Sequence, residues 1–168
     1  SRLLSEKSRE FGSLGTNATF AQRMLFQEGI VREVLDDGYV PNARDVTADN
    51  LPEFLGTTLL SPEGQRFYSS SRNFIAAVLR KESGAAISDG EYVNGLKQYF
   101  PQVGDVPEVI SDKEALRSAA ITGMYRESGD AFAAIYPEAE KFMKTTVGDQ
   151  TFDIINPRSY SQFELAKV

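Results

Sequence analysis

Hydrophobic residues along this 168-residue chain recur mainly at the three- and four-residue intervals of an α-helix. No long segment alternates between hydrophobic and polar residues, which is the pattern of a half-buried strand. The sequence therefore predicts a mainly α fold, with several helices joined by capped turns. The predicted helix faces are Phe20, Met24, Val31, Val34 and Leu35; Phe67, Phe74, Ile75, Val78 and Leu79; Tyr92, Leu96 and Tyr99 or Phe100; and Leu116, Ala119, Ala120, Gly123 and Met124.

The clearest helix start is Ser61-Pro62-Glu63, which combines a capping hydroxyl, a proline at the first helical position and a carboxylate in the first turn. This pattern predicts a helix over 62–83. Gly84 is a typical C-terminal stop, because glycine adopts the left-handed conformation that ends many helices.

A capping box made by Ser88 and Glu91 predicts that a further helix begins next to them. We expect it to cover 89–99 and to end at Pro101, because proline cannot continue a helix. Ser111 and Glu114 form a second capping box, which predicts a helix after a loop over 102–110.

The N-terminal part is predicted to hold a short helix over 2–11 and a longer one that ends at Asp36-Asp37-Gly38. The segment 12–15 has two glycines and is expected to separate them. Thr16 or Asn17 is then the expected cap of the longer helix.

Irregular structure is predicted where the helical pattern weakens. Residues 39–60 contain interrupting prolines and a glycine, so we expect a long connection with one helical turn near 51–55. Residues 137–143 are predicted to form a short helix, and 148–168 an irregular segment in which two short strands are possible. The whole chain is expected to be a single domain, or the ordered portion of a longer protein.

Composition excludes several kinds of chemistry. The chain has no histidine and no cysteine, which removes imidazole-based catalytic triads, disulfides and thiolate metal sites. Its net charge of −6 disfavours binding to phosphate backbones, so no specific nucleic-acid binding is predicted. The acidic segments 36–37 and 45–49 lack the spacing of a calcium-binding loop, and we predict no metal and no cofactor.

Arginine and aromatic side chains are the best candidates for an interface. Such residues are enriched where proteins contact one another, although most aromatic residues pack in cores. The possible interface residues are Arg72, Arg80, Tyr92, Tyr99, Phe100 and Tyr125.

One pattern keeps an enzyme alternative open. Glu82-Ser83 and Gly95-Leu96-Lys97-Gln98 loosely resemble the signatures of lytic transglycosylases, in which a glutamic acid protonates a glycosidic oxygen. Here the two signatures are close together, Lys97 stands where the family has methionine, and other family elements are missing. The chain is therefore predicted not to be an enzyme, and no residue is assigned a catalytic role.

A second resemblance covers roughly residues 67–117. This segment is similar to internal or DNA-ejection proteins of short-tailed bacteriophages, with a fainter similarity over LLSEKSREFGSLGTNATFAQRM. The similar strings are RNFI, AVLR, ESGAAI, QYFPQ, GD and PEVI.

The phage resemblance implies a virion protein that is made in the host cytoplasm, packaged in the particle and released through portal and tail at infection. It implies assembly with copies of itself or with portal, tail or other ejected proteins, and contact with the host envelope after ejection. A permanent structural protein of the tail or portal is the competing interpretation. Copy number, symmetry and the contacted virion protein are not specified by the sequence.

Overall fold

The computed structural model describes residues 2–50, 59–143 and 164–167. In these ranges the chain is helical and has no strand, which confirms the mainly α prediction. The helices are α1 (Arg2–Glu10), α2 (Ser13–Asp36), α3 (Ala43–Asp49), α4 (Pro62–Ser83), α5 (Asp89–Tyr99), α6 (Pro107–Glu127), α7 (Ala131–Ile135) and α8 (Pro137–Glu140).

The predicted boundaries of α4 and α5 are confirmed. The Ser61 hydroxyl accepts a hydrogen bond from the backbone N–H of Gly64 at 3.0 Å, and Gly84 ends α4 at φ 64°. At the start of α5, the Ser88 hydroxyl accepts from the Glu91 N–H at 3.3 Å. The Glu91 carboxylate accepts in return from the Ser88 N–H at 2.9 Å, which completes the capping box.

The predicted start of α6 is wrong. The helix begins at Pro107, one residue after an extended Val106, so Ser111 lies inside it and caps nothing. Proline is favoured at the first helical position, where its missing N–H is no loss, and here it outweighs the Ser-Glu pattern. The helix ends at Glu127.

The boundary between α1 and α2 is also displaced from its prediction. Gly12, at φ 60°, makes the turn, and α2 starts directly afterwards at Ser13. Gly15 and Thr16 therefore lie within α2, where the Thr16 hydroxyl donates to the Gly12 carbonyl at 3.3 Å instead of capping the helix.

The connection predicted to be irregular over 39–60 contains α3, so that prediction is wrong for Ala43–Asp49. The missed signal is local: the Asn42 side chain accepts from the Asp45 N–H at 2.9 Å and caps the helix. The helical turn expected near 51–55 lies outside the described residues, as does most of the segment 148–168. The short helix predicted over 137–143 is confirmed for Pro137–Glu140.

The core forms where α2 packs against α4 and α6. Phe74 and Phe100 meet edge to face at 5.4 Å between ring centroids, and Phe67 and Phe100 do so at 6.1 Å. Such pairs fill a core with little loss of conformational entropy. Phe67, Phe74 and Phe100 are all fully buried. Their aromatic contacts therefore join α4 to the C-terminal end of α5 within the core.

The face that α6 buries differs from its prediction. Leu116 is 39% exposed and Ala119 is exposed, whereas Arg117, Ile121 and Met124 are buried. The helix is turned so that Arg117 reaches Glu28 on α2, with 2.6 Å between Nε and the carboxylate oxygen. A hydrophobic pattern places arginine on the outside, and it therefore misassigned this face.

Candidate functional site

The loop between α5 and α6 exposes hydrophobic side chains to solvent. Val103 is 54% exposed and Val106 is 53% exposed, and they are followed on α6 by Val109 at 37% and Leu116 at 39%. Val109 and Leu116 lie two turns apart on the same side of the helix. We call Val103, Val106, Val109 and Leu116 the valine surface. Their exposure within one short stretch of chain makes this segment a candidate interaction surface.

Hydrogen bonds hold the loop that carries Val103 and Val106. The Gln102 side chain donates to the carbonyls of Leu96, Phe100 and Pro101 at 3.2, 3.1 and 3.0 Å. Its backbone N–H donates to the Asp105 carboxylate at 2.9 Å. The Gln102 side chain and the Asp105 carboxylate are therefore engaged inside the chain, whereas Val103 and Val106 are exposed to a partner.

Lys113 ties the same loop to α6. Its ammonium donates to the Asp105 carboxylate at 2.5 Å and to the Phe100 carbonyl at 3.2 Å. Burial raises the pKa of Asp105, but the hydrogen bonds from Lys113 and the Gln102 N–H outweigh burial and hold that pKa below its usual value. Asp105 is therefore ionised near neutral pH, and the loop keeps this bond.

A buried ion pair between Arg117 and Glu28 joins α6 to α2 next to the end of α5. Arg117 is 1% exposed and Glu28 is fully buried, and the Arg117 guanidinium also donates to the Tyr99 carbonyl at 2.8 Å. It lies over the Phe100 ring, 5.0 Å from the centroid. Arg32 donates to the other Glu28 oxygen at 2.9 Å. The Arg117 contacts thus connect the end of α5 with α2 and α6. The loop that carries Val103 and Val106 begins at this connected end.

The structure brings the predicted interface residues Arg72 and Tyr92 together. The Arg72 guanidinium lies 4.4 Å from the centre of the Tyr92 ring and pairs with the Asp49 carboxylate at 2.8 Å. Burial raises the pKa of the Tyr92 hydroxyl, and the nearby Arg72 guanidinium offsets part of that rise. Arg72 is thus already engaged by α3 and α5, and it connects these helices to α4.

Phe100 and Tyr125 belong to the core rather than to a surface. Phe100 is fully buried against Phe74, and Tyr125 is 8% exposed, with its hydroxyl 2.5 Å from the Glu140 carboxylate. Tyr99 is half-buried against Phe74. These aromatic side chains were assigned to an interface because sequence spacing cannot separate a core ring from a surface ring.

Arg80 stays exposed, on a groove between α2 and α4 that it shares with Arg23. The residues lining this groove include no carboxylate. Arg80 is therefore the predicted interface residue that is best placed to meet an acidic partner.

The groove between α4 and α5 contains the residues of the enzyme alternative. Glu82 and Glu91 both line it, with Gln98 and Tyr99. Glu91 is held by the capping box, and hydrogen bonds from the Ser88 N–H and hydroxyl lower its pKa. Glu82 is exposed in the last turn of α4. Neither carboxylate lies in the apolar surroundings that normally produce a general acid.

Over the described residues, no group of three or more Asp and Glu side chains is arranged to hold a metal ion. No helix in this part of the chain is long and apolar enough to cross a membrane.

Comparison with known proteins adds no relative: no family model, no curated protein and no solved structure matches the chain.

Sequence reasoning missed the valine surface, although its valines stand in the printed sequence between Pro101 and Leu116. A loop valine can be buried or exposed with the same spacing, and spacing does not reveal the hydrogen bonds that Gln102 and Lys113 make to this loop. The valine surface is the feature on which a functional proposal can be based.

Proposed function

We propose that this chain is a bacteriophage virion protein of the internal or ejection type, which helps to deliver the genome into the host. It assembles with copies of itself or with portal, tail or other ejected proteins. It is made in the host cytoplasm, resides in the particle and contacts the host envelope after ejection. The resemblance over roughly 67–117 supports this assignment, and that segment contains the valine surface.

The observation that carries the proposal is the exposure of Val103 and Val106, at 54% and 53%, on a loop that internal hydrogen bonds hold. Valine has a single side-chain torsion, and the Asp105–Lys113 bond already orders the loop. Little loop and side-chain entropy remains to be lost on binding, which lowers one of the costs that oppose hydrophobic association. Such a surface suits assembly between preformed parts.

The test replaces Val103, Val106 and Val109 together by serine and measures mass against protein concentration by light scattering and sedimentation. The wild-type chain is expected to self-associate, and the triple variant to stay monomeric. Val40→Ser is the matched control, because Val40 is 68% exposed but lies between α2 and α3. It should behave as wild type.

Purified portal and tail proteins from the same particle form the second arm. If the wild type is monomeric, it should bind one of them, and the triple valine variant should not. A wild type that neither self-associates nor binds any of these proteins would contradict the proposal.

Mass spectrometry of particles before and after genome release separates the two virion interpretations. An ejection protein is lost from the particle together with the DNA. A chain that remains in the emptied particle is a permanent component of the tail or portal, and the ejection assignment would then be replaced.

The lytic transglycosylase alternative has one supporting observation, the presence of Glu82 and Glu91 on the same groove. We expect no turnover of purified peptidoglycan by the wild type. Turnover that is lost in Glu82→Gln and kept in Glu63→Gln, an exposed carboxylate at the start of α4, would support the enzyme instead.

A further inference from the structure

A cleft of about 570 Å³ lies between α1 and α2, away from the valine surface. Its lining residues are Leu4, Ser5, Ser8, Arg9, Gly12, Thr16, Thr19, Arg23 and Tyr136. The volume falls in the range of small-molecule sites, which span about 300–1,000 Å³. The cleft is therefore large enough to hold a ligand of the size of a sugar phosphate.

The charge of the cleft is opposite to that of the protein. Arg9 and Arg23 line it, and none of the described residues that line it is acidic, although the chain carries a net charge of −6. Neither arginine makes an ion pair with any described residue, whereas Arg32, Arg66 and Arg72 are all paired. Two guanidinium groups on one cleft, neither of them paired by a described residue, favour an anion, and their planar donors match the oxygens of a phosphate.

Hydroxyl groups supply the remaining polar lining. Thr19 donates to the Gly15 carbonyl at 3.1 Å, and its oxygen lies 3.4 Å from both the Ser8 and the Tyr136 hydroxyls. Ser5, which also lines the cleft, donates to the Arg2 carbonyl at 2.8 Å. These contacts orient the hydroxyls and leave their oxygens as acceptors for the hydroxyl groups of a ligand.

The cleft depends on a close approach of its two helices. A Cβ atom at Gly15 would overlap the carbonyl oxygen of Ser8, so only glycine allows α1 to lie this near to α2. The Lys7 ammonium also donates to the Ala134 carbonyl at 3.3 Å, which fastens α1 to α7. The walls of the cleft are thus held in place while nothing on α1 is buried.

We propose that this cleft binds a small phosphorylated and hydroxylated molecule, with Arg9 and Arg23 on the phosphate and the hydroxyls of Ser5, Ser8 and Tyr136 on the polyol. The site is independent of the valine surface and of the assembly function proposed above. Binding weakens as salt is added, because both arginines are exposed to solvent.

Calorimetric titration with ribose 5-phosphate tests the site, with inorganic phosphate and ribose as the two partial ligands. Ribose 5-phosphate is expected to bind saturably, phosphate more weakly, and ribose not at all. Arg9→Gln and Arg23→Gln should each weaken binding by about tenfold or more, since a charge-assisted hydrogen bond contributes about 1.5–3 kcal/mol.

Arg44→Gln is the matched control, because Arg44 is an exposed arginine on α3 that does not line the cleft. It should change the affinity by less than about twofold. Absence of saturable binding by the wild type, or an equal loss in Arg44→Gln, would overturn the proposal. All these substitutions are at exposed positions, so the variants are expected to remain folded, and circular dichroism checks this.

Discussion

The joint between α5 and α6 and the joint between α1 and α2 use charged residues in opposite ways. At the first, the charged groups of Lys113, Asp105 and Arg117 make contacts within the chain, and the valine side chains are exposed to solvent. At the second, Arg9 and Arg23 are exposed and form no ion pair within the described part of the chain, and α1 buries no residue. The first joint therefore offers a partner exposed hydrophobic side chains, whereas the second offers cations that suit an anion.

The two joints also differ in what holds them. Arg117 connects α6 with α2 and with the end of α5 through direct bonds to Glu28 and to the Tyr99 carbonyl. The contact of α1 with α2 relies instead on the absence of a side chain at Gly15. We therefore expect the first joint to respond mainly to changes of charge, and the second mainly to changes of volume.

The largest effect is expected for Arg117→Met. The change leaves the buried Glu28 carboxylate with Arg32 as its remaining charged partner, and the free energy of unfolding should fall by about 3–5 kcal/mol in urea titrations. Arg44→Met, at an exposed arginine, should change it by less than about 0.5 kcal/mol. Equal effects of the two substitutions would contradict the structural role of the buried pair.

Asp45→Asn should have the next largest effect, about 2–3 kcal/mol at pH 7. The buried Asp45 carboxylate accepts from the hydroxyls of Tyr39 and Ser61 at 2.9 and 2.8 Å and ties α3 to the start of α4. The side-chain amide of the variant would direct its N–H groups toward the Tyr39 and Ser61 hydroxyls, which are themselves donors in this arrangement. Asp112→Asn, at an exposed carboxylate on α6, is the control.

The same pair of variants gives a pH test. Burial raises the pKa of Asp45, but the hydrogen bonds from Ser61, Tyr39 and Asn42 outweigh burial and lower that pKa below 3.8. A lowered folded-state pKa adds stability above the unfolded value, about 3.9, and this stability is lost as pH falls through the folded value. The gap between wild type and Asp45→Asn should therefore narrow below about pH 4. A constant gap down to pH 2 would contradict this.

Two glycine substitutions should act in opposite directions. Gly15→Ala separates α1 from α2 and should lower the free energy of unfolding by about 1–3 kcal/mol, with faster hydrogen exchange in α1. A Cβ atom at Gly123 meets nothing within 4 Å, and Gly123→Ala should raise the free energy by about 0.5–1 kcal/mol through helix propensity. Destabilisation by Gly123→Ala would indicate that a partner covers that face of α6.

The smallest effect on stability is expected for the serine substitutions at Val103 and Val106. Both side chains are more than half exposed, so the free energy of unfolding of the monomer should change by less than about 0.5 kcal/mol. Any loss of assembly could then be assigned to the surface itself. A larger loss of stability would place the valines in the monomer core instead.

Much of the helical framework could be predicted from local sequence. The ends of α4 and the start of α5 follow from Ser61, Gly84 and the Ser88–Glu91 capping box, whose partners lie within a few residues of one another. The start of α6 was mispredicted because two local signals competed, and proline at the first helical position prevailed over the capping box at Ser111.

The interface residues were harder to predict for a physical reason. Whether Phe100 or Val103 is buried depends on contacts between helices, and neighbouring residues do not encode those contacts. Arg72 and Tyr92 are predicted interface residues, yet they contact each other within the chain, which spacing alone could not reveal.

The sequence by itself determined a helical chain, the ends of α4 and α5, and the exclusion of histidine and cysteine chemistry, because these depend on composition or on bonds between near neighbours. Only the tertiary structure decided that Arg117 turns inward, that the valines face outward and that Arg9 and Arg23 share a cleft. The Arg117–Glu28 bond joins residues 89 positions apart in the chain. Pairing across such a separation follows from helix packing, which local sequence signals do not specify.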